Sequence, residues 1–153
     1  MNKTYYIKVF GCQMNVAEAE AIEARYVREG WKRATKPELA DEVVIHTCSV
    51  RESAENRVFG LLNNLNKLTK KPRIIVTGCL LRLSNNELRS KMPTVDEFTP
   101  VEQLFDDLKI RVHNKDKHAW VPISNGCNNF CSYCVVPYSR GREKSRSFEE
   151  IIM

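Results

Sequence analysis

The sequence lacks any apolar run near the roughly 18 residues that a membrane-spanning helix needs. Its opening residues, MNKTYYIKVFGC, contain neither a long apolar stretch nor a small-residue cleavage site. A membrane span and a secretory signal are therefore not expected, and the chain is expected to be cytoplasmic. It has no internal repeat and no low-complexity tract. Cysteine is scarce: six in 153 residues fall well short of the roughly 8–10% that marks a disulfide scaffold. What is present is ordinary globular material. Hydrophobic residues make up 42% and charged residues 28%, enough to build a core and to exclude wholesale disorder. The length suits about one ordinary domain. A net charge of +5 mildly favours an anionic partner. In a reducing compartment, cysteines at deliberate spacings serve metals or catalysis more often than disulfides.

The first 110 residues alternate between strand and helix patterns. Tyr5 to Phe10 is a β-rich run. Asn15 followed by Glu18 reads as a capped helix start, with Ala19, Ile22 and Tyr26 on one face and Gly30 as the stop. Trp31 to Ala34 is a short predicted strand and Glu42 to Thr47 a longer one. Ser49 and Glu52 form a capping box before a helix with the apolar face Ala54, Val58, Leu61, Leu62, Leu65 and Leu68. Lys71-Pro72 breaks it, and Arg73 to Thr77 is the next strand. Ser84 and Glu87 cap a short helix ending near Pro93. Val95 to Phe98 reads as an edge strand. Thr99 caps a further helix, with Pro100 at its first position and Val101, Leu104, Phe105 and Leu108 on its face. This alternation predicts an α/β fold with a doubly wound, mostly parallel sheet of the flavodoxin-like kind.

Past Ile110 the texture changes. Arg111 to Lys117 is polar and reads as a linker or hairpin edge, and Ala119 to Ile123 as a strand. A cysteine-rich loop follows, then a basic run from Arg140 to Arg146. Ser147 caps a last helix start, with Glu149 and Glu150 in its first turn. That helix stops mid-pattern, so the natural chain is expected to continue. The division falls at about residue 115: residues 1–115 as a complete domain, residues 116–153 as the start of a second.

Cys12, Cys48 and Cys79 each follow a predicted strand end, in YYIKVF-GC, EVVIH-TC and RIIVT-GC. In a parallel sheet those ends share one edge, where open α/β sheets place their ligands. Three thiols can converge there without sequence proximity. Gly11 and Gly78 would let the backbone turn tightly beside two of them. The plainer alternative is three small buried cysteines. Thiolates suit zinc or iron–sulfur clusters, and three of them without an obvious fourth ligand fit a cluster with one open iron. His46 reads as a packed or exposed strand histidine.

Cys127, Cys131 and Cys134 form C-x3-C-x2-C, the strongest signal in the chain. Three thiolates in one compact loop can hold three irons of a [4Fe–4S] cluster and leave the fourth free. A closed zinc site needs a fourth protein ligand. Only His113 and His118 lie nearby upstream, at unfamiliar spacing. An odd count within the loop weighs against a disulfide.

The loop closely resembles that of the radical S-adenosylmethionine (SAM) enzymes. The two cysteine sets together are similar to the N-terminal part of a methylthiotransferase. The matching stretches are Gly11 to Asn15 (GCQMN), Thr47 to Glu52 (TCSVRE), Gly78-Cys79, Gly126 to Cys134 (GCNNFCSYC) and Pro137 to Glu143 (PYSRGRE). The first two forms are most similar to the tRNA branch, which converts N6-isopentenyladenosine beside the anticodon to its 2-methylthio derivative. The resemblance implies an auxiliary [4Fe–4S] cluster on Cys12, Cys48 and Cys79 that carries or donates sulfur. It implies a second [4Fe–4S] cluster on Cys127, Cys131 and Cys134 that binds SAM, with Tyr133 packed near the adenine. It also implies two SAM molecules per reaction, one for methyl transfer and one for the radical that abstracts hydrogen from the adenine ring carbon. Its partners would be the tRNA anticodon stem-loop and an electron donor such as a flavodoxin, and the protein a monomer. The match covers the front of the family's length. It implies a radical-SAM barrel that is only begun here and a chain that does not catalyse alone. Departures are His46, where the family commonly has Asn, Leu80-Leu81-Arg82 after Cys79, and the absence of a glycine within Val95 to Pro100.

Between Glu55 and Glu87 there is no acidic residue, but Arg57, Lys67, Lys70, Lys71, Arg73 and Arg82 are present. Arg140, Arg142, Lys144 and Arg146 form a second basic group. Such side chains suit RNA phosphates, and the second group also suits the SAM carboxylate. The alternative for Lys67, Lys70 and Lys71 is a helix end where the macrodipole favours cations. Phe130 and Tyr138 suit base stacking or core packing. Two other readings stand beside the leading one: a non-enzymatic iron–sulfur or zinc module, and a methylthiotransferase acting on a ribosomal protein.

Overall fold

The structure is a computed structural model and describes residues 3–48, 52–105 and 120–152. Its centre is a five-stranded parallel sheet made of β1 (Thr4–Val9), β2 (Lys32–Arg33), β3 (Glu42–Thr47), β4 (Arg73–Gly78) and β5 (Glu97–Phe98). The strand order is β2-β1-β3-β4-β5, the order of flavodoxin-like doubly wound folds. The expected fold class is what the chain adopts. β3 is central and every residue of it is buried, as a strand covered on both faces must be.

Alternation along the strands divides the core. Val43, Ile45, Ile74 and Val76 face α2 (Glu52–Asn66) and α3 (Asn85–Lys91), packing with Val58, Leu62, Leu65 and Leu88. Val44 and Ile75 face α1 (Gln13–Arg28) on the other side, with Tyr5, Ile7, Ala19, Ile22 and Tyr26. Adjacent strand residues thus serve opposite layers, as a two-residue period dictates. Each fully buried Leu or Ile contributes roughly 1.5–3 kcal/mol by leaving water.

α1 stops where expected. Gly30 adopts φ +79°, its N–H reaches the Val27 carbonyl, and the Trp31 N–H reaches that of Tyr26. This paired closure satisfies two terminal carbonyls and requires a left-handed residue. The Ser84–Glu87 capping box is present in both directions.

Three expectations are corrected. Asn15 does not cap α1: the helix begins at Gln13, with Cys12 at the cap position and no side-chain cap, because the Asn15 amide is engaged by β3 instead. Thr99 does not cap a helix either. Its hydroxyl donates to Glu97 Oε1 at 2.6 Å, and Pro100 precedes, rather than opens, a 3-10 turn at Val101–Gln103. Residues 120–123 form no strand. The strand lies at β6 (Ser124–Asn125), paired antiparallel with β7 (Lys144–Ser145); Pro122 has no N–H to give a ladder. Short helices α4 (Val136–Arg140) and α5 (Phe148–Ile152) complete this part, and Ser147 caps α5 as expected. The Ser49 cap, Leu108, the polar stretch 111–117, the division near residue 115, His113 and His118 lie outside the described residues.

The described helices include none long and apolar enough to cross a membrane.

Candidate metal centre

The register of the sheet brings the first three cysteines together. Val9 lies opposite His46, His46 opposite Thr77, and Thr47 opposite Gly78. Cys48 and Cys79 therefore leave adjacent strands at the same height, and Cys12 leaves β1 three residues beyond Val9. All three line one cavity of about 460 Å³, together with Asn15, Arg57 and Arg140. Cys48 and Cys79 are buried, Cys12 is exposed, and none of the six cysteines is in a disulfide. Cys79 follows β4 directly and is the first residue of a 3-10 turn (Cys79–Arg82).

Gly78 makes this edge possible. It sits at φ +95° and ψ −159°, a region open essentially to glycine alone. A Cβ there would lie 2.5 Å from the Thr47 carbonyl oxygen and 2.7 Å from His46 Nδ1.

Beneath the thiols lies a buried polar network that the sequence reading did not anticipate. Asn15 Nδ2 donates to the Thr47 carbonyl at 2.9 Å and sits 3.0 Å from His46 Nδ1. Asn15 Oδ1 accepts from Cys12 Sγ at 3.3 Å and from Arg140 Nη2 at 3.0 Å. Because Arg140 can only donate and a carbonyl can only accept, the amide orientation is determined. His46 Nδ1 must then accept, which places its proton on Nε2, 3.0 Å from Glu18 Oε2. His46 is wholly buried, so of its two readings the packed one holds.

Arg140 clamps Glu18 with two bonds, Nη1 to Oε1 at 2.7 Å and Nη2 to Oε2 at 3.1 Å. Burial pushes the Glu18 carboxyl up, but contacts with His46 and Arg140 outweigh it and hold the carboxyl below its ordinary value. Burial pushes the Cys79 thiol up, opposed by the charge and hydrogen bond of Arg140. The signal that could have exposed this network was a run of acids, Glu18, Glu20 and Glu23, among the alanines of α1: all three are buried.

The second thiol set is local. Cys127, Cys131 and Cys134 lie between β6 and α4, with Cys131 exposed and the others half-buried. The Cys127 N–H reaches the Gly141 carbonyl at 3.1 Å, and the Cys134 N–H that of Cys131 at 2.9 Å. Gly126, at φ +81°, leaves no room for a Cβ beside the Arg142 carbonyl. Phe130 takes φ +47° and meets the Tyr138 ring edge-on at 5.8 Å, with the Arg142 guanidinium 4.3 Å above it. Tyr133 is 89% exposed. Among the described residues no three Cys, His, Asp or Glu side chains are drawn tightly enough together to hold a metal ion.

The basic residues divide. Lys70 pairs with Asp41, and Arg73 with Glu42 and Glu97. Arg140, read as an RNA or SAM contact, is instead consumed by the buried pair, its side chain only 12% exposed. Arg146 donates to the carbonyls of Pro122 and Glu150.

The model of the family described as uncharacterized protein family UPF0004 matches residues 4–100. A tRNA-2-methylthio-N(6)-dimethylallyladenosine synthase of Dictyoglomus thermophilum is 40% identical over 177 residues, covering 97% of this chain and 40% of that protein. The protein of the same name from Treponema denticola is 36% identical, covering 97% of this chain and 41% of its own length. One from Roseiflexus sp. is 35% identical, covering 98% and 36%. The chain thus spans about two fifths of the length of the curated relatives it matches.

Proposed function

The chain belongs to the UPF0004 family, and on that premise we propose that it carries the cluster-binding part of a radical-SAM tRNA methylthiotransferase. In this reading residues 1–115 form the auxiliary-cluster domain and residues 116–153 open the SAM domain. Cys12, Cys48 and Cys79 hold one [4Fe–4S] cluster. Cys127, Cys131 and Cys134 hold a second, with SAM at its open iron and Tyr133 beside the adenine. When bound, these groups supply sulfur and one-electron chemistry for methylthiolation of N6-isopentenyladenosine at C2. The protein's own part is to place three soft donors at one sheet edge, to keep two of them out of water, and to present the second triad on a short preformed loop. The substrate is the anticodon stem-loop of a tRNA, the reductant an electron donor such as a flavodoxin, and the setting cytoplasmic, with the protein a monomer.

The observation that supports this reading is the shared cavity of Cys12, Cys48 and Cys79. Its lining, among the described residues, has no histidine or carboxylate to complete a four-ligand zinc site. Anaerobic reconstitution with iron and sulfide tests it. Two clusters are expected, and alanine at Cys12, Cys48 or Cys79 should halve the iron while leaving the second cluster. Tightly held zinc without sulfide would overturn the reading.

A further inference from the structure

We infer that Arg140 is a positioning residue whose buried guanidinium latches the C-x3-C-x2-C segment onto the Cys79 edge of the sheet, with Asn15 and Glu18 as its built receptor. The attachment needs such a device. No residue of 120–152 enters either hydrophobic core. Large apolar side chains of this part, Ile123, Tyr138, Phe148 and Ile152 among them, stay exposed. The main packing across the junction among the described residues is α4 against the Cys79–Arg82 turn, with Pro137 buried. Arg140 is the last residue of α4. From there it reaches residues 122 and 125 positions earlier in the chain, and it ties back to its own segment through Asn125 Oδ1 at 3.1 Å.

The Asn15 half of the receptor is oriented by groups other than Arg140. The Thr47 carbonyl and His46 occupy Asn15 Nδ2, so Oδ1 is turned outward. His46 Nε2 lies 3.0 Å from Glu18 Oε2 without a hydrogen bond between them, so the hydrogen bonds to this carboxylate come from the guanidinium fork. Planar two-bond recognition of this kind suits Arg and not Lys. Losing one member leaves the other charge buried and unpaired, so the pair should behave as a unit. The latch is made of protein groups alone and needs no bound cluster. It bears on the proposed function only in that the latch would set one thiol triad relative to the other.

The test uses the 153-residue chain without metal, so its outcome is separate from that of the proposed function. Segment-resolved amide hydrogen exchange compares Arg140→Gln, Glu18→Gln, the double variant, Arg140→Lys and Arg142→Gln. Both single Gln variants at the pair should speed exchange across residues 124–145 by tenfold or more, while β3 and β4 stay protected. The double variant should be no worse than either single one. Arg140→Lys should recover only part of the protection. Arg142→Gln, which removes a side chain lying over Phe130 instead, should leave the wild-type pattern. The latch is overturned if Glu18→Gln leaves residues 124–145 at wild-type rates, if the single effects add in the double variant, or if Glu18→Gln loosens the whole sheet. Failure of the wild-type chain to take up iron and sulfide would sink the proposed function and leave this exchange pattern unaffected.

Discussion

The two thiol triads are built in opposite ways. Cys12, Cys48 and Cys79 lie at three strand ends far apart in sequence and meet only because β1, β3 and β4 are parallel and in register. Cys127, Cys131 and Cys134 lie within eight consecutive residues, held by two backbone hydrogen bonds and a glycine turn. The first triad inherits the stability of a sheet covered on both faces. The second rests on a segment with two-residue strands and five-residue helices. A site made by tertiary structure fails when the fold fails. A site made by local spacing answers chiefly to its own residues and to the contact that docks it.

Gly78→Ala should break the contrast most strongly. It forces a side chain into a glycine-only backbone region against the Thr47 carbonyl, at a cost of about 3 kcal/mol. Urea unfolding should show that loss, and reconstituted iron should fall at the first triad while the second retains its share. Next in size is a pair of cysteine variants that should alter iron content without large changes in fold. Cys48→Ala should remove only the first cluster and Cys131→Ala only the second, read as iron and sulfide per chain. Equal loss of both clusters in either variant would abolish the distinction.

Tyr26→Phe should separate stability from the site. The Tyr26 hydroxyl donates to the buried Glu42 carboxylate at the opposite end of the sheet from the thiols. Removing a buried bond to a charged acceptor costs about 2 kcal/mol. Calorimetry should show a lower Tm, with iron content at both triads unchanged. The smallest effect concerns acid. The Lys70 ammonium, and then the backbone N–H and hydroxyl of Thr4, hold the Asp41 carboxyl down at about 2, against an ordinary 3.8. The folded state therefore binds fewer protons than the unfolded state between those values. Its contribution is complete above pH 3.8 and is lost as pH falls toward 2. Asp41→Asn should flatten that part of the acid unfolding curve of the metal-free chain, and residues 124–145 should show no separate transition there.

Much of the fold was legible because binary patterning carries it. The runs at Glu42 to Thr47 and Arg73 to Thr77 match β3 and β4 almost residue for residue. The caps at Ser84 and Ser147 also formed, since capping is local chemistry. The strand expected at Ala119 to Ile123 did not form over its described residues, because a strand exists only by pairing and the pairing runs through Ser124–Asn125. Asn15 misled for a related reason: a residue type that favours caps was drawn into a buried network by groups on another element.

The sequence by itself determined which residues carry sulfur, the local spacing of the second triad, the strand–helix alternation and the glycine at position 78. These depend on neighbours within a few positions, or on a period that any observer of the chain can count. Only the tertiary structure decided that Cys12, Cys48 and Cys79 line one cavity, that His46 and Glu18 lie buried behind it next to Asn15 and Arg140, and that Arg140 is a docking group instead of a surface cation. Each of those depends on strand register and on a charge finding its partner more than a hundred residues away. No local pattern encodes that distance; burial enforces it, because a guanidinium and a carboxylate removed from water must meet.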